Sequence, residues 1–287
     1  MKATAQAIST ARGVALLRAA EAQRPPAERI CADPYARSFV NPVTLLAIGP
    51  IIRMGLPDRL FLGGAVSFAI AREQYIHDLI VAEARAGLEQ LVILGAGFDT
   101  RAYRIPELAE VPVFEVDHPV TQAAKRKAIA GVVEPFPANV NFVAVDFDRD
   151  ALGDRLAASG YDAARRTLFV WQGVTMYLTP EGVDRTLGFV ATHSAPGSAI
   201  VFDYLYSGVL SGSKTLGMRL VTRAMGEHMT FGIDGSDIAA FLAQRGFTAI
   251  RNVDGAELKR LYLTGPNAAR PITLDAAIVS ARVTGAN

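Results

Sequence analysis

Three apolar runs in the middle of this 287-residue chain end in residues suited to grip a small polar ligand. Gln90-Leu91-Val92-Ile93-Leu94 runs into Gly95-Ala96-Gly97, where missing side chains let the backbone turn sharply and approach a bound molecule. The next run, Val111 to Val116, closes on Asp117, about 20 residues past the second glycine, where a carboxylate can chelate ribose hydroxyls. Val140 to Val145 ends in Asp146-Phe147-Asp148, which offers a carboxylate to an exocyclic amine and a ring to the face of an adenine. Plainer roles exist for each: a tight strand-to-helix turn, or an N-cap at Asp117 or His118 ahead of Pro119. As a series, Gly-x-Gly, Asp and Asp-Phe at successive strand ends predict nucleoside binding. Thr100 stands where a dinucleotide fingerprint needs its third Gly or Ala, which weakens the pyrophosphate version.

The elements that must position these residues alternate. Further strand-like runs lie at Thr167 to Trp171 and Ser198 to Phe202, and helical stretches at Pro119 to Ala130, Ala151 to Ala158 and Pro180 to His193. Such alternation predicts a mostly parallel sheet covered on both faces. Ahead of it, residues 1–88 read as mostly helical: Ala3 to Glu21, a short helix after Asp33-Pro34, an apolar stretch from Pro42 to Pro57 broken by Gly49-Pro50, and a long helix from Gly64 to Ala86. Behind it, Tyr204 to Gly232 carries Gly208, Gly212, Gly217 and Gly226 among apolar residues and suits a lid or substrate wall. A helix at Asp234 to Gln244, a strand from Gly246 to Ile250 and a last strand within Ile272 to Val283 complete the chain. The expected organisation is a helical N-terminal cap (1–88) on an α/β Rossmann-like core (89–287) with a lid inserted around 205–232.

With 51% apolar residues the chain can bury a full core. Twenty-nine basic and 28 acidic side chains leave a formal charge of +1, with no basic block of the kind that binds nucleic acid, so a small-molecule partner is expected. A single cysteine, Cys31, excludes an intramolecular disulfide framework, and no secretory leader or membrane-length apolar run is read, which predicts a cytoplasmic location. The histidines at 77, 118, 193 and 228 show no ligand spacing, so no metal is expected.

Leu94-Gly95-Ala96-Gly97-Phe98-Asp99-Thr100-Arg101-Ala102-Tyr103-Arg104 resembles the first motif of the leucine carboxyl methyltransferase-like group of class I S-adenosylmethionine enzymes. That group includes actinobacterial and polyketide carboxyl O-methyltransferase relatives. Phe114 to Pro119, Lys125-Arg126-Lys127 and Phe169 to Leu178 extend the resemblance, as do the stretch from Arg18 to Pro34 and Arg72. It implies a seven-stranded sheet whose last strand is antiparallel, with S-adenosylmethionine as cofactor. Gly95, Ala96 and Gly97 would approach its methionine part, Asp117 would hold the ribose, and Asp146 and Phe147 would frame adenine. Arg72, and a basic residue matched to Arg18, would reach the cofactor's carboxylate, although either can also be read as a solvated helix residue. The family usually carries Glu where this chain has Gln172, so one negative charge is missing beside the cofactor's cationic groups.

Methyl transfer from a sulfonium is an in-line displacement, so an already ionised nucleophile needs mainly alignment and removal from water. A carboxylate meets that need without a base and is the expected acceptor, in a small molecule of natural-product, polyketide-like character from secondary metabolism; a phenol, with a pKa near 10, is the alternative. Tyr177 and Tyr204, following the fourth and fifth strands, are candidates to orient the acceptor, or else packed wall. Two readings of other classes stay open: a nicotinamide-dependent dehydrogenase, and a cofactor-binding homologue that Gln172 has deprived of turnover. The N-terminal helices could cover the cofactor or pair with another subunit as a homo-oligomer.

Overall fold

In the computed structural model the described residues are 2–146, 150–210 and 229–284, with side chains described from Ile8 onward. Seven strands form one sheet in the order β3-β2-β1-β4-β5-β7-β6. They are β1 (Gln90–Leu94), β2 (Val113–Asp117), β3 (Val140–Ala144), β4 (Thr167–Trp171), β5 (Ala199–Leu205), β6 (Phe247–Asp254) and β7 (Ala276–Val283). All pairings among β1 to β5 are parallel, while β7 runs antiparallel to both β5 and β6. The fold is therefore the expected mixed α/β, class I methyltransferase-like sheet with an antiparallel last strand.

Chain order reverses at β1. From it the chain steps outward to β2 and β3, then returns to place β4 on the other side. In open α/β sheets such a switch point leaves a crevice at the carboxyl ends of the strands, since the connections on its two sides diverge. Here the loops after β1 and β4 border that crevice.

The sheet's faces are closed by alternate side chains of the buried strands. Val92, Leu94, Phe169, Trp171, Phe202 and Tyr204 pack on one face with Val183, Leu187 and Val190 of a helix at Pro180–Thr192. Leu91, Ile93, Leu168, Val170 and Val201 pack on the other with Phe68, Ala71, Tyr75, Ile76 and Ile80. Those five lie on one stripe of α3 (Ala65–Arg85), so this helix, although upstream of residue 89, is one of the sheet's covering layers. Each fully buried isoleucine of that stripe contributes about 1.5–3 kcal/mol.

Upstream, α1 (Lys2–Ala22) packs on α2 (Pro42–Arg53) and on a turn at Ala36–Phe39. Gly49-Pro50 does not break α2. Asn41 caps it by accepting from the Val43 N–H at 2.8 Å, and the carbonyl that Pro50 leaves without its helical donor belongs to Leu46, an exposed residue. Residues 255–262 form a helix, capped by Asp254 through the Glu257 N–H at 2.8 Å, that the sequence pattern does not predict. Most of the expected lid, residues 211–228, lies outside the described residues. Its described flanks are tied down: Ile233 N–H donates to the Leu205 carbonyl at 3.0 Å, and Thr230 N–H to the Met176 carbonyl at 2.8 Å.

Candidate active site

Strand β1 delivers Gly95-Ala96-Gly97 to the crevice with φ of 68° at Gly95 and 45° at Gly97, a region that side chains other than glycine's rarely adopt. A Cβ on Gly95 would meet Val174 Cγ2 at 2.6 Å, so the loop after β1 lies directly against the loop after β4. The Ala96 N–H donates to the Val116 carbonyl at 2.9 Å and ties the loop to β2. Asp117, at the end of β2, accepts from the Gly97 N–H and, at 2.6 Å, from the His118 N–H. Two backbone donors leave further lone pairs on the carboxylate for a ligand's hydroxyls. Burial raises the Asp117 pKa above its ordinary value, the two N–H donors opposing that shift.

His118 is the N-cap of the helix Pro119–Ile129, its Nδ1 accepting from the Val120 N–H at 3.2 Å. The cap is thus His118 rather than Asp117, and both residues keep separate tasks. Asp146 follows β3, and its N–H donates to Asp150 Oδ2 at 2.8 Å. Phe147 lies outside the described residues.

On the other side of the crevice, β4 delivers Gln172, Gly173 and Val174. Arg72 reaches this turn from α3: its guanidinium pairs with Asp203 of β5, and a Cβ on Gly173 would lie 3.8 Å from Arg72 Nη1. The Nε of Arg72 is buried without a hydrogen-bond partner. Arg18 comes from α1. Its guanidinium donates to the Phe98 carbonyl at 2.6 Å and pairs with Asp33 at 3.2 Å, so it pins the backbone just after the glycine loop and is buried rather than solvated.

Gln172 is held in a buried ionic cluster beneath the loop. Its Oε1 accepts from Arg101 Nη2 at 2.6 Å and its Nε2 donates to Glu73 Oε2 at 3.1 Å. Glu73 pairs with Arg101 and Arg104, each at 2.8 Å, and lies 3.7 Å from Arg18. Burial alone would raise its pKa, but Arg101, Arg18 and Arg104 outweigh burial and hold the carboxyl well below the usual carboxylate range. Asp99, on the same loop, accepts from the Arg101 N–H at 2.8 Å and pairs with its guanidinium.

Tyr177 is half-buried in the turn Thr175–Tyr177, beside the Met176 carbonyl to which Thr230 returns. Tyr204 is fully buried, its hydroxyl donating to Asn252 of β6 at 2.9 Å, and it forms part of the core between Phe202 and Tyr206. In this placement it is wall, with its polar end occupied.

Sequence reasoning passes over Glu73 and Asp203. A visible signal exists for both, an acid inside an apolar strand or helix stripe, which has to be paired when buried.

A family model described as "Leucine carboxyl methyltransferase" matches residues 11–191, which includes the glycine loop, Asp117 and the turn at Gln172. The chain belongs to the leucine carboxyl methyltransferase family. A Mycolicibacterium smegmatis protein bearing the name of an S-adenosyl-L-methionine-dependent methyltransferase is 35% identical over 208 residues, 71% of this chain and 68% of that protein. YktD of Bacillus subtilis, named for the same activity, is 31% identical over 200 residues, 68% of this chain and 66% of its own. The alignments thus span about two thirds of these relatives' length. Among solved structures, an O-methyltransferase family protein from Burkholderia thailandensis shares the fold with a TM-score of 0.51 at 15% identity, covering 76% of this chain and 58% of that one. The CurJ carbon methyltransferase does so with a TM-score of 0.51 at 14% identity, covering 88% and 63%.

Family membership makes this chain an S-adenosylmethionine-dependent methyltransferase and decides against the nicotinamide alternative. The crevice fits that cofactor on three counts: a glycine loop without room for a Cβ at Gly95, a carboxylate at Asp117 with lone pairs to spare, and an unpartnered buried donor at Arg72 Nε. The first suits close backbone approach, the second ribose hydroxyls, the third a carboxylate.

Proposed function

We propose that this methyltransferase esterifies a carboxylate oxygen of a small, largely apolar acceptor. The supporting observation is that four polar side chains around the crevice already have partners within the protein. Asp117 receives two backbone N–H groups, His118 caps a helix, Arg72 pairs with Asp203, and Tyr204 donates to Asn252. A carboxylate acceptor is ionised at neutral pH and needs none of them as a base, whereas a phenol, with a pKa near 10, would gain from one. The matching family's description names carboxyl methylation, which agrees.

In this reading Gly95, Ala96 and Gly97 approach the amino-acid end of the cofactor, Asp117 holds the ribose and Arg72 the carboxylate, with Asp146 and Phe147 at adenine. S-Adenosylmethionine, when bound, supplies a methyl group on a positively charged sulfur. The protein's part is alignment and exclusion of water, so the side chains around the turn at Tyr177 bear on which acceptor is held. Of the described residues there, Ile233 is fastened to Leu205 at the end of β5 and Thr230 to Met176 in the turn after β4.

The test uses cofactor labelled in its methyl group, a panel of carboxylic acids and phenols, and mild alkali after the reaction. An ester releases labelled methanol in alkali; an aryl ether keeps its label. Transfer into alkali-stable product alone would replace the carboxylate by the phenol. Saturable binding of S-adenosylhomocysteine with no transfer to any acceptor would favour the cofactor-binding homologue.

A further inference from the structure

Asp203 is an acid in the middle of β5, flanked by Phe202 and Tyr204, and is 1% exposed. A carboxylate so placed is costly unless both oxygens are engaged. Both are. One oxygen pairs with Arg72 Nη1, and Oδ1 accepts from the Gly173 N–H at 2.6 Å. The Asp203 backbone carbonyl also accepts from Thr175 Oγ1 at 2.6 Å, which fixes β5 to the same turn.

These contacts join three separate elements at the crevice. Arg72 comes from α3, on the sheet's face; Gly173 belongs to the loop after β4; and Asp203 stands one strand further along. Gly173 has φ of 70°, and its Cα faces the Arg72 guanidinium closely enough that a Cβ would meet Nη1 and Nη2 at 3.8 and 3.9 Å. One residue on, Val174 abuts Gly95. The carboxylate that orients Arg72 therefore also sets the turn that presses on the glycine loop. An arginine side chain has four rotatable bonds, and anchoring one end of its guanidinium leaves the Nε edge, buried and unpartnered, in a single orientation.

We propose that Asp203 is a positioning residue for the cofactor's amino-acid end: it aims Arg72 and, through the Gly173 N–H, locks the β4 turn against the glycine loop. This rests on the reading of the crevice as the S-adenosylmethionine site. Asp203 touches no ligand itself. Its effect is confined to the part of the cofactor that carries the carboxylate, and the adenosine half, held at Asp117, is outside its reach.

The test is calorimetric titration of two compounds that differ only in that part. S-Adenosylhomocysteine carries the amino-acid chain; 5′-methylthioadenosine lacks its carboxylate and amine. In Asp203→Asn the Oδ1 contact to Gly173 can persist, but an amide replaces the anion facing Arg72. The expected result is at least a tenfold loss of affinity for S-adenosylhomocysteine with 5′-methylthioadenosine unchanged within about twofold. Arg72→Ala should give the same selective loss, and the double variant should lose little beyond either single one, because the two residues act as a unit. Asp203→Glu, which keeps the charge but shifts it, should fall between wild type and Asp203→Asn and serves if the amide variant does not fold. Equal losses for both compounds, or additive losses in the double variant, would overturn the positioning role. Failure of the wild-type protein to bind either compound would instead overturn the site reading, and the proposal with it.

Discussion

Replacing Glu73 by Gln tests whether the buried ionic cluster is the clamp that holds the glycine loop to α3. The cluster contains three cations, Arg18, Arg101 and Arg104, and three anions, Glu73, Asp33 and Asp99, all linked by the contacts above. Glu73→Gln leaves three against two. At 2.8 Å and an effective dielectric of about 20, each Arg–Glu73 pair is worth about 6 kcal/mol of attraction before desolvation. Sparing the carboxylate its burial returns much of this, and breaking a buried pair by removing one partner typically costs about 3–5 kcal/mol net. In a chain of this size that corresponds to a melting temperature lower by about 5–8 °C. The acid limb provides a second reading with a defined sign. The Glu73 pKa is depressed in the folded state, so its stabilisation is complete above the unfolded value near 4.3 and is lost as pH falls toward the folded one. In urea denaturation, wild type should exceed Glu73→Gln by a constant margin from pH 8 to about 5, and the margin should shrink below about 4.3. A margin under about 1 kcal/mol at pH 7, or one that is unchanged in acid, would show that the arginines are held by other groups.

Four further outcomes are expected. Asp117→Ala removes a charged acceptor of ribose hydroxyls and should weaken S-adenosylhomocysteine by about 3 kcal/mol, more than 100-fold by calorimetry. For wild type the same affinity should decline as pH drops through the Asp117 pKa, which burial raises above the ordinary 3.9; loss setting in only below that value would contradict the raised pKa. Gly95→Ala adds a Cβ at 2.6 Å from Val174 Cγ2 at a φ of 68°, and should cost about 1–3 kcal/mol of stability and most cofactor binding in the same preparation. Gln172→Glu places a second carboxylate 3.1 Å from Glu73 and should lower stability by about 2 kcal/mol at pH 7, the deficit narrowing as acid lets the pair share a proton.

The parts of this site legible in the sequence are those built from neighbours along the chain. A strand running into Gly95-Ala96-Gly97 specifies its own turn, and Asp117 at the next strand's end needs only a parallel register, seen in Leu94 opposite Val116, to reach the Gly97 N–H. The late helix at Gly255–Tyr262 is also written locally, as Asp254-Gly255-Ala256-Glu257 in capping-box spacing, but its short amphipathic stretch is easily taken for a loop. The cluster and the clamp are different in kind. Gln172 meets Glu73 across 99 residues and Arg72 meets Asp203 across 131, and a one-dimensional pattern does not say which face of α3 turns to the sheet's edge and which to its centre. What the pattern does contain is the demand for a partner. Glu73 in the stripe of α3, Glu115 inside β2 and Asp203 inside β5 are acids among residues that must be buried, and an unpaired buried carboxylate is far more expensive than the chain's marginal stability allows. Each therefore calls for a buried cation, Glu115 and Asp203 by their place in an apolar strand and Glu73 by its place on a helix stripe. The fold meets those demands with Arg101 and Arg104 for Glu73, Lys125 for Glu115 at 2.7 Å, and Arg72 for Asp203, two of the three beside the crevice where the cofactor is expected. Acids within apolar strands or on the buried stripe of a helix, taken as requests for arginine or lysine, thus point from the sequence to the clamp and leave the pairing to be supplied by three-dimensional packing.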